Sequence, residues 1–241
     1  MKKLGIIGGM GPAATARLFE QIVAFTDVER DQDHIDIAIL NKPTIPDRTA
    51  YLLGASSEPF VPVIKPLAQS LADAGCNVIA IPCNTAHAKI DEISEGLPSV
   101  TFVNIPREAI KFAQELSCNR VGILATTGTI ETRIYQTYAE ELGLDTCIPN
   151  SSLQQSIMDI IYNYVKAGKT VPKDHLNHVL DQAVDELECD GFILGCTELS
   201  LLDIPRRYRG RFMIDALDVQ AWRCVVECGA PAKNLRDLFT Q

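Results

Sequence analysis

The sequence predicts an α/β protein of two pseudo-symmetric lobes, each a parallel sheet flanked by helices, with the active site in the cleft between them. Three observations lead there. Strand-like and helix-like runs alternate along the chain, which implies parallel strands covered by helices. Several strand-like runs are continuously apolar, as strands buried on both faces are. The chain also repeats itself. Gly75-Cys76-Asn77-Val78-Ile79-Ala80-Ile81-Pro82-Cys83-Asn84-Thr85 is echoed by Glu188-Cys189-Asp190-Gly191-Phe192-Ile193-Leu194-Gly195-Cys196-Thr197-Glu198, so that Cys76 aligns with Cys189 and Cys83 with Cys196 at a common offset. A second echo, at nearly the same offset, joins Leu4-Gly5-Ile6-Ile7-Gly8-Gly9 to Val121-Gly122-Ile123-Leu124-Ala125-Thr126. Self-similarity of long period is read before anything else. Two copies describe two lobes, not a solenoid.

The elements follow in order. Apolar runs at 3–7, 35–40, 78–81, 101–103, 121–125, 191–194 and 212–214 read as strands. Helical periodicity covers 13–26, 61–74, 86–95, 106–116, 130–142, 153–167 and 173–188, and a final helix runs over about 216–228. Pro172 followed by Lys173 and Asp174 is a start signal for the helix at 173. The stretch 41–59 carries Pro43, Pro46, Gly54 and Pro59 and reads as a long loop, a kind that is more often functional than idle. The lobe boundary is placed near Pro106, with the last segment crossing back, which gives an N-terminal lobe of 1–105 plus 215–241 and a C-terminal lobe of 106–214. Ligands of open parallel sheets bind beyond the carboxyl ends of the strands. Cys83, Cys196, the 8–12 turn and the 126–128 turn all fall at such ends.

Composition narrows the function. The chain has 241 residues, 46% of them hydrophobic, and a formal charge of −9. A nucleic-acid groove needs a basic face, so nucleic acid is not an expected partner. The apolar run after Lys3 is cut by Gly8, Gly9, Gly11 and Pro12, shorter than a secretory signal needs, and no stretch is long enough to span a membrane. A cytoplasmic protein is expected. Eight cysteines without a Cys-x-x-Cys pair describe neither a redox pair nor a zinc knuckle. Cys76, Cys118, Cys147, Cys189, Cys224 and Cys228 read as buried thiols.

Cys83 and Cys196 differ because of their position. Each ends a strand, and the backbone N–H groups of a helix starting behind it can hold a carboxylate and favour thiolate. Asn84 and Thr85 add side-chain donors after the first thiol. Thr197 and Glu198 repeat the layout after the second, with Glu198 placed to tune the thiol or to grip an ammonium group. Two thiols across one cleft can remove a proton from one face of a carbon and return one to the other. The turn Gly9-Met10-Gly11-Pro12-Ala13-Ala14 matches the dinucleotide fingerprint in form. However, the second strand ends Leu40-Asn41-Lys42 without the acidic residue that holds a ribose, and Pro12 lacks an N–H. The turn, with Met10 at its centre, therefore reads as wrapping a small acid. Arg48 on the long loop suits a carboxylate. Lys166 at a helix end reads, on residues alone, as a solvated lysine complementing the helix dipole. His175 and His178 lack a third ligand nearby, so no metal is expected, and His87 reads as a capping or packing residue. An NAD(P)-binding reductase and a non-catalytic amino-acid-binding protein stay open as alternatives.

Taken together, Gly8-Gly9-Met10-Gly11-Pro12, Asn41-Lys42-Pro43, Asp47-Arg48, Pro82-Cys83-Asn84-Thr85-Ala86-His87, Ala125-Thr126-Thr127-Gly128-Thr129, the helix of Lys166 and Gly195-Cys196-Thr197-Glu198-Leu199 resemble the aspartate/glutamate racemase family, and its aspartate branch most closely. The resemblance spans nearly the whole chain. It implies a cofactor-independent racemase acting on an acidic amino acid, glutamate or a broader substrate range being the runner-up to aspartate. It implies two similar lobes and a homodimer. It also implies that Cys83 and Cys196 transfer the protons, and that Asn84, Thr85 and Thr197 hold the α-carboxylate with the Thr126, Thr127 and Gly128 turn. Arg48 and Lys166 would then hold the distal carboxylate, a role that replaces the solvated reading of Lys166.

Overall fold

The computed structural model describes residues 1–240. Its first half runs β1 (Lys3–Gly8), α1 (Pro12–Phe25), β2 (Ile37–Asn41), α2 (Arg48–Leu52), α3 (Val61–Asp73), β3 (Cys76–Ala80), α4 (Ile90–Ser94) and β4 (Thr101–Val103). The second half runs α5 (Ile105–Glu115), β5 (Arg120–Leu124), α6 (Thr127–Glu131), α7 (Ile134–Leu142), β6 (Asp145–Cys147) and α8 (Ser151–Asp159). It continues with α9 (Lys173–Leu187), β7 (Gly191–Leu194), β8 (Arg207–Tyr208), β9 (Arg211–Asp215), α10 (Ala216–Glu227) and α11 (Asp237–Thr240).

The strands form two sheets, ordered β2-β1-β3-β4 and β6-β5-β7-β9-β8. All pairings are parallel except β8 with β9. With β8 set aside as an insertion, the two sheets share one order. The first strand of each half lies between the second and the third, and the fourth lies outside the third. The echo in sequence is thus an echo in topology. In such an order the switch point lies between the first and third strands, which here means the ends of β1 and β3 and the ends of β5 and β7.

Layering explains why so many strand positions are apolar. Leu4, Ile6, Val78 and Ala80 from the first sheet, with Val121, Ile123, Ile193 and Ile214 from the second, join α1, α5, α7 and α10 in one continuous buried cluster. The opposite face of the first sheet, with Ile7, Ile79 and Ile81, is covered by α3 and α4. The opposite face of the second, with Leu124, Phe192 and Leu194, is covered by α8 and α9. A central helical layer therefore fixes the two sheets against each other. The helices around the cleft begin at side-chain caps: the carboxylate or amide oxygens of Asp47, Asn104 and Asn150 and the hydroxyl of Thr126 accept N–H groups from α2, α5, α8 and α6, which satisfies donors that would otherwise be orphaned.

Several sequence expectations are corrected. The stretch 41–59 is not all loop: it contains α2, capped by Asp47. The helix expected over 86–95 is a 3₁₀ turn, Thr85–Lys89, followed by α4. Behind Cys196 there is only a short 3₁₀ turn, Leu199–Leu201, so neither thiol is backed by the α-helix N-terminus that was expected. The helix expected over 130–142 is broken at Arg133, whose backbone is left-handed (φ 55°). The helix carrying Lys166 passes from α8 into a π-helical turn over Ile160–Val165. β6 and β8 are three and two residues long and carry no period that sequence could reveal. Among the described residues no helix is long and apolar enough to cross a membrane.

Candidate active site

The Cys83 turn leaves the end of β3, where the Cys83 N–H donates to Ile81 O (2.7 Å). The Cys196 turn leaves the end of β7, where the Gly195 N–H donates to Leu124 O (2.8 Å). Both thiols are buried, and both line one small space of about 10 Å³, room for about a single water. Met10, Arg48, Asn84, Thr85, Thr126, Lys166, Thr197 and Glu198 line the same space. Chain segments far apart in sequence are thus brought to one point, where the carboxyl ends of both sheets meet.

Glu198 is the hub of the second thiol. Its Oε2 accepts the Cys196 S–H at 3.0 Å and its Oε1 accepts Lys166 Nζ at 2.7 Å. Burial pushes the Cys196 thiol well up, and the Glu198 carboxylate adds to the shift. Cys196 is therefore a neutral thiol. Burial opposes the charge on Lys166, but the Glu198 carboxylate outweighs it and holds the ammonium above the usual lysine value.

The first thiol has a different neighbour. Arg48 donates through Nη1 to Ile45 O (3.2 Å) and Pro46 O (2.9 Å) and lines the small space together with Cys83. Arg48 Nε is buried without a partner. Asn84 is held by Tyr135, whose hydroxyl donates to Asn84 Oδ1 at 2.5 Å. Burial raises Tyr135 well above an ordinary phenol, so Tyr135 keeps its donor proton. Asn84 Nδ2 is then a buried donor without a partner. Arg48 and Asn84, two of the residues that line the cavity, thus each carry an unspent buried donor.

The floor is a cluster of threonine hydroxyls. Thr85 lies 3.0 Å from Thr126 and 2.9 Å from Thr129, and Thr49 reaches Thr126 at 3.3 Å. Thr197 donates across the cleft to Pro82 O (3.3 Å). Two residues expected at the site stand behind it. The N–H of Thr127 faces Met158 Sδ at 3.3 Å and its hydroxyl faces Gln154 Nε2 at 3.4 Å, while Gly128 packs on Thr49 so closely that a Cβ there would meet Thr49 Cα at 3.0 Å. Neither lines the cavity. Sequence reasoning missed Asp47 as a lining residue, along with Thr49 and Tyr162. Tyr162 Oη faces Asp47 Oδ2 at 3.2 Å, and the Tyr162 ring carries Lys166 Nζ at 5.5 Å from its centroid. Tyr162 was findable, since it precedes Lys166 by one helical turn on the same face.

The glycine turn borders a wider cleft of about 520 Å³ that adjoins the small space. Gly9, at φ +103°, passes so close to Lys42 that a Cβ would meet the Lys42 carbonyl carbon at 2.3 Å. Its N–H is spent on Thr15 Oγ1 at 3.0 Å, so it is not offered to a phosphate. His87 is buried, with Nδ1 2.9 Å from Cys83 O. Burial lowers its pKa, which leaves a neutral ring that holds the turn of the first thiol. No cluster of three or more metal-ligating side chains exists among the described residues.

Comparison with known proteins identifies the family. The chain is 27% identical over 203 residues to the broad specificity amino-acid racemase RacX of Bacillus subtilis, covering 82% of this chain and 86% of that one. It is 26% identical over 185 residues to a glutamate racemase of Aquifex aeolicus, covering 76% of this chain and 66% of the relative. The solved structure of Picrophilus torridus aspartate racemase superposes with a TM-score of 0.83 at 27% identity, covering 100% of both chains. The model of the Asp/Glu/Hydantoin racemase family matches residues 7–224, a span that holds both thiol turns, the Arg48 helix and Lys166; the chain belongs to this family of isomerases.

Proposed function

We propose that the protein racemises aspartate without a cofactor, through proton transfer by Cys83 and Cys196. The observation that carries this reading is the pair of buried thiols on one small space whose lining residues Arg48 and Asn84 each keep an unspent donor. Cys83, as the thiolate, takes the Cα proton: the C–H bond breaks, its electron pair moves into the α-carboxylate, and the proton goes to sulfur. Cys196 gives its proton to the opposite face of Cα and becomes the thiolate. The reverse direction uses the same two groups with their roles exchanged. Glu198, already an acceptor for the Cys196 S–H, orients that thiol and tunes how readily it gives up its proton. The carbanion gathers charge on the α-carboxylate oxygens, so donors aimed there carry much of the rate. Asn84 Nδ2 and the threonine hydroxyls supply them. Arg48 and Lys166 hold the distal carboxylate, and an amino acid needs the cleft to open beyond its present volume.

The relatives named for glutamate and for broad specificity favour a second reading with a wider range of substrates. The reading also includes division into lobes 1–105 plus 215–241 and 106–214, and a cytoplasmic homodimer, whose mass solution scattering would measure.

The test is Cα exchange in D₂O. L-Aspartate and then L-glutamate are incubated with reduced protein and no added cofactor, and deuterium uptake and optical rotation are followed together. Uptake with loss of rotation is expected. Cys83→Ser and Cys196→Ser should each lower racemisation by about 10²–10⁴-fold, the range of a positioned acid or base. Absence of exchange with either acid, or full racemisation by a Ser variant, would overturn the reading.

A further inference from the structure

Two buried residues on one helix reach the turns of both thiols without lining the cavity between them. Asp215 caps α10, accepting from Leu217 N (2.9 Å) and Asp218 N (3.4 Å) through Oδ1. The same oxygen accepts Ser200 Oγ–H at 2.7 Å. Ser200 belongs to the 3₁₀ turn directly behind the second thiol, where Leu199 N donates to Cys196 O at 2.9 Å. About 7.5 Å further along the helix axis, at 1.5 Å per residue, Gln220 Nε2 donates to Ile81 O (3.3 Å) and Val103 O (3.2 Å). Ile81 O is also the acceptor for Cys83 N, and Val103 O is faced by Nε2 of His87, whose Nδ1 is on Cys83 O. Ser200, Asp215 and Gln220 are all buried. Two backbone carbonyls at the ends of β3 and β4 fix which way the Gln220 amide points.

We propose that the start of α10 is a spacer that sets the two thiol turns against each other, with Asp215 and Gln220 as its positioning residues. The physical need is specific. A thiol that only exchanges the Cα proton with solvent has to be placed against one face of the substrate. Inversion requires both sulfurs to be placed at once across one carbon, and a misplacement of 1 Å is worth about 10²-fold in rate. The two turns belong to different sheets, and the central helical layer carries a rigid polar link to each. The buried amide and carboxylate on α10 are thereby assigned a task that packing alone leaves open.

The proposal rests on the two-thiol reading, and its experiment separates the two. Ser200→Ala removes the bond to the Cys196 turn and leaves the Asp215 cap on α10. Gln220→Met removes the bonds to Ile81 and Val103 at similar volume. Each variant is compared with the parent for inversion and for Cα deuterium uptake with retention, using L-aspartate in D₂O, with melting temperature as the control for folding. The expected result is a fall of about tenfold or more in kcat with KM within about threefold, and a fall of about tenfold in the ratio of inversion to exchange, for a displacement of a fraction of an ångström. A parental ratio in a folded variant overturns the spacer, whatever happens to kcat, because loss of folded protein lowers both reactions together. If one substitution prevents folding, the other decides. If the parent shows no inversion, or inverts without one of its cysteines, the two-thiol reading fails instead.

Discussion

Glu198 serves two partners with one carboxylate, accepting from the Cys196 thiol and from the Lys166 ammonium. The consequence of removing its charge can be worked out in sign. A neighbouring negative charge disfavours thiolate, and Glu198 adds to the burial that keeps Cys196 protonated. Glu198→Gln deletes that contribution while leaving burial in place, so the Cys196 thiol becomes more acidic. The limb of the pH–rate profile that reports loss of this acid moves to lower pH. The amide is a weaker acceptor for the Cys196 S–H and no longer pairs with Lys166, so the thiol is held less well and kcat falls by about 10²-fold, the lower end of the acid–base range. Both effects are read from kcat against pH, and an unmoved alkaline limb would contradict the role given to Glu198. The meeting of these residues was legible in the chain because its parts are local: a Cys-Asn-Thr and a Cys-Thr-Glu after apolar strands both end at one cavity. Asp47 and Thr49 were not legible as lining residues, because only the approach of α2 to the helix of Lys166 brings them to the thiols.

At the scale of elements, the floor of the site depends on how closely α2 meets α6. Gly128 lies on α6 against α2, and a Cβ there would meet Thr49 Oγ1 at 2.9 Å and Thr49 Cα at 3.0 Å. The Cα is backbone and cannot swing aside, so Gly128→Ala forces the two helices apart. Overpacking of this kind destabilises by about 1–3 kcal/mol, and for a chain of this size each kcal/mol lowers the melting temperature by about 2–4 °C. The same displacement separates Thr49 from Thr126, whose hydroxyls are 3.3 Å apart, so racemase activity falls with stability. A melting temperature equal to the parent's would mean that the helices part freely. The sequence disclosed these elements unevenly. Long strands buried on both faces and long amphipathic helices have periods that survive inspection. α2 is five residues long inside a proline-rich connection, and its stability comes from the Asp47 cap, which accepts Ala50 N at 2.8 Å, and from its packing on α6. The break at Arg133 and the π-helical turn before Lys166 leave the hydrophobic period intact, so sequence read each as uninterrupted helix.

For the whole molecule, the buried thiols make stability depend on alkaline pH. Burial pushes Cys118 and Cys228 up to about 11 and Cys189 up to about 12, against a value of 9.0 in the unfolded chain. Burial also drives Cys196 and Cys224 well above that value. Above pH 9 the unfolded chain releases these protons and the folded chain keeps them. The unfolded state therefore binds fewer protons, and stability falls as pH rises, with each thiol contributing a slope of about 1.4 kcal/mol per pH unit until its folded pKa is reached. Tyr135, raised well above an ordinary phenol by burial, adds to the fall above pH 10. Urea unfolding of the reduced protein at pH 8, 9, 10 and 10.5 is expected to give a midpoint that holds steady up to about pH 9 and then drops progressively. Cys224→Ala should lower stability at pH 8 by the loss of packing, yet make the fall above pH 9 shallower by one thiol's share. A midpoint independent of pH across this window would mean that these thiols ionise as readily in the folded protein as in the unfolded chain.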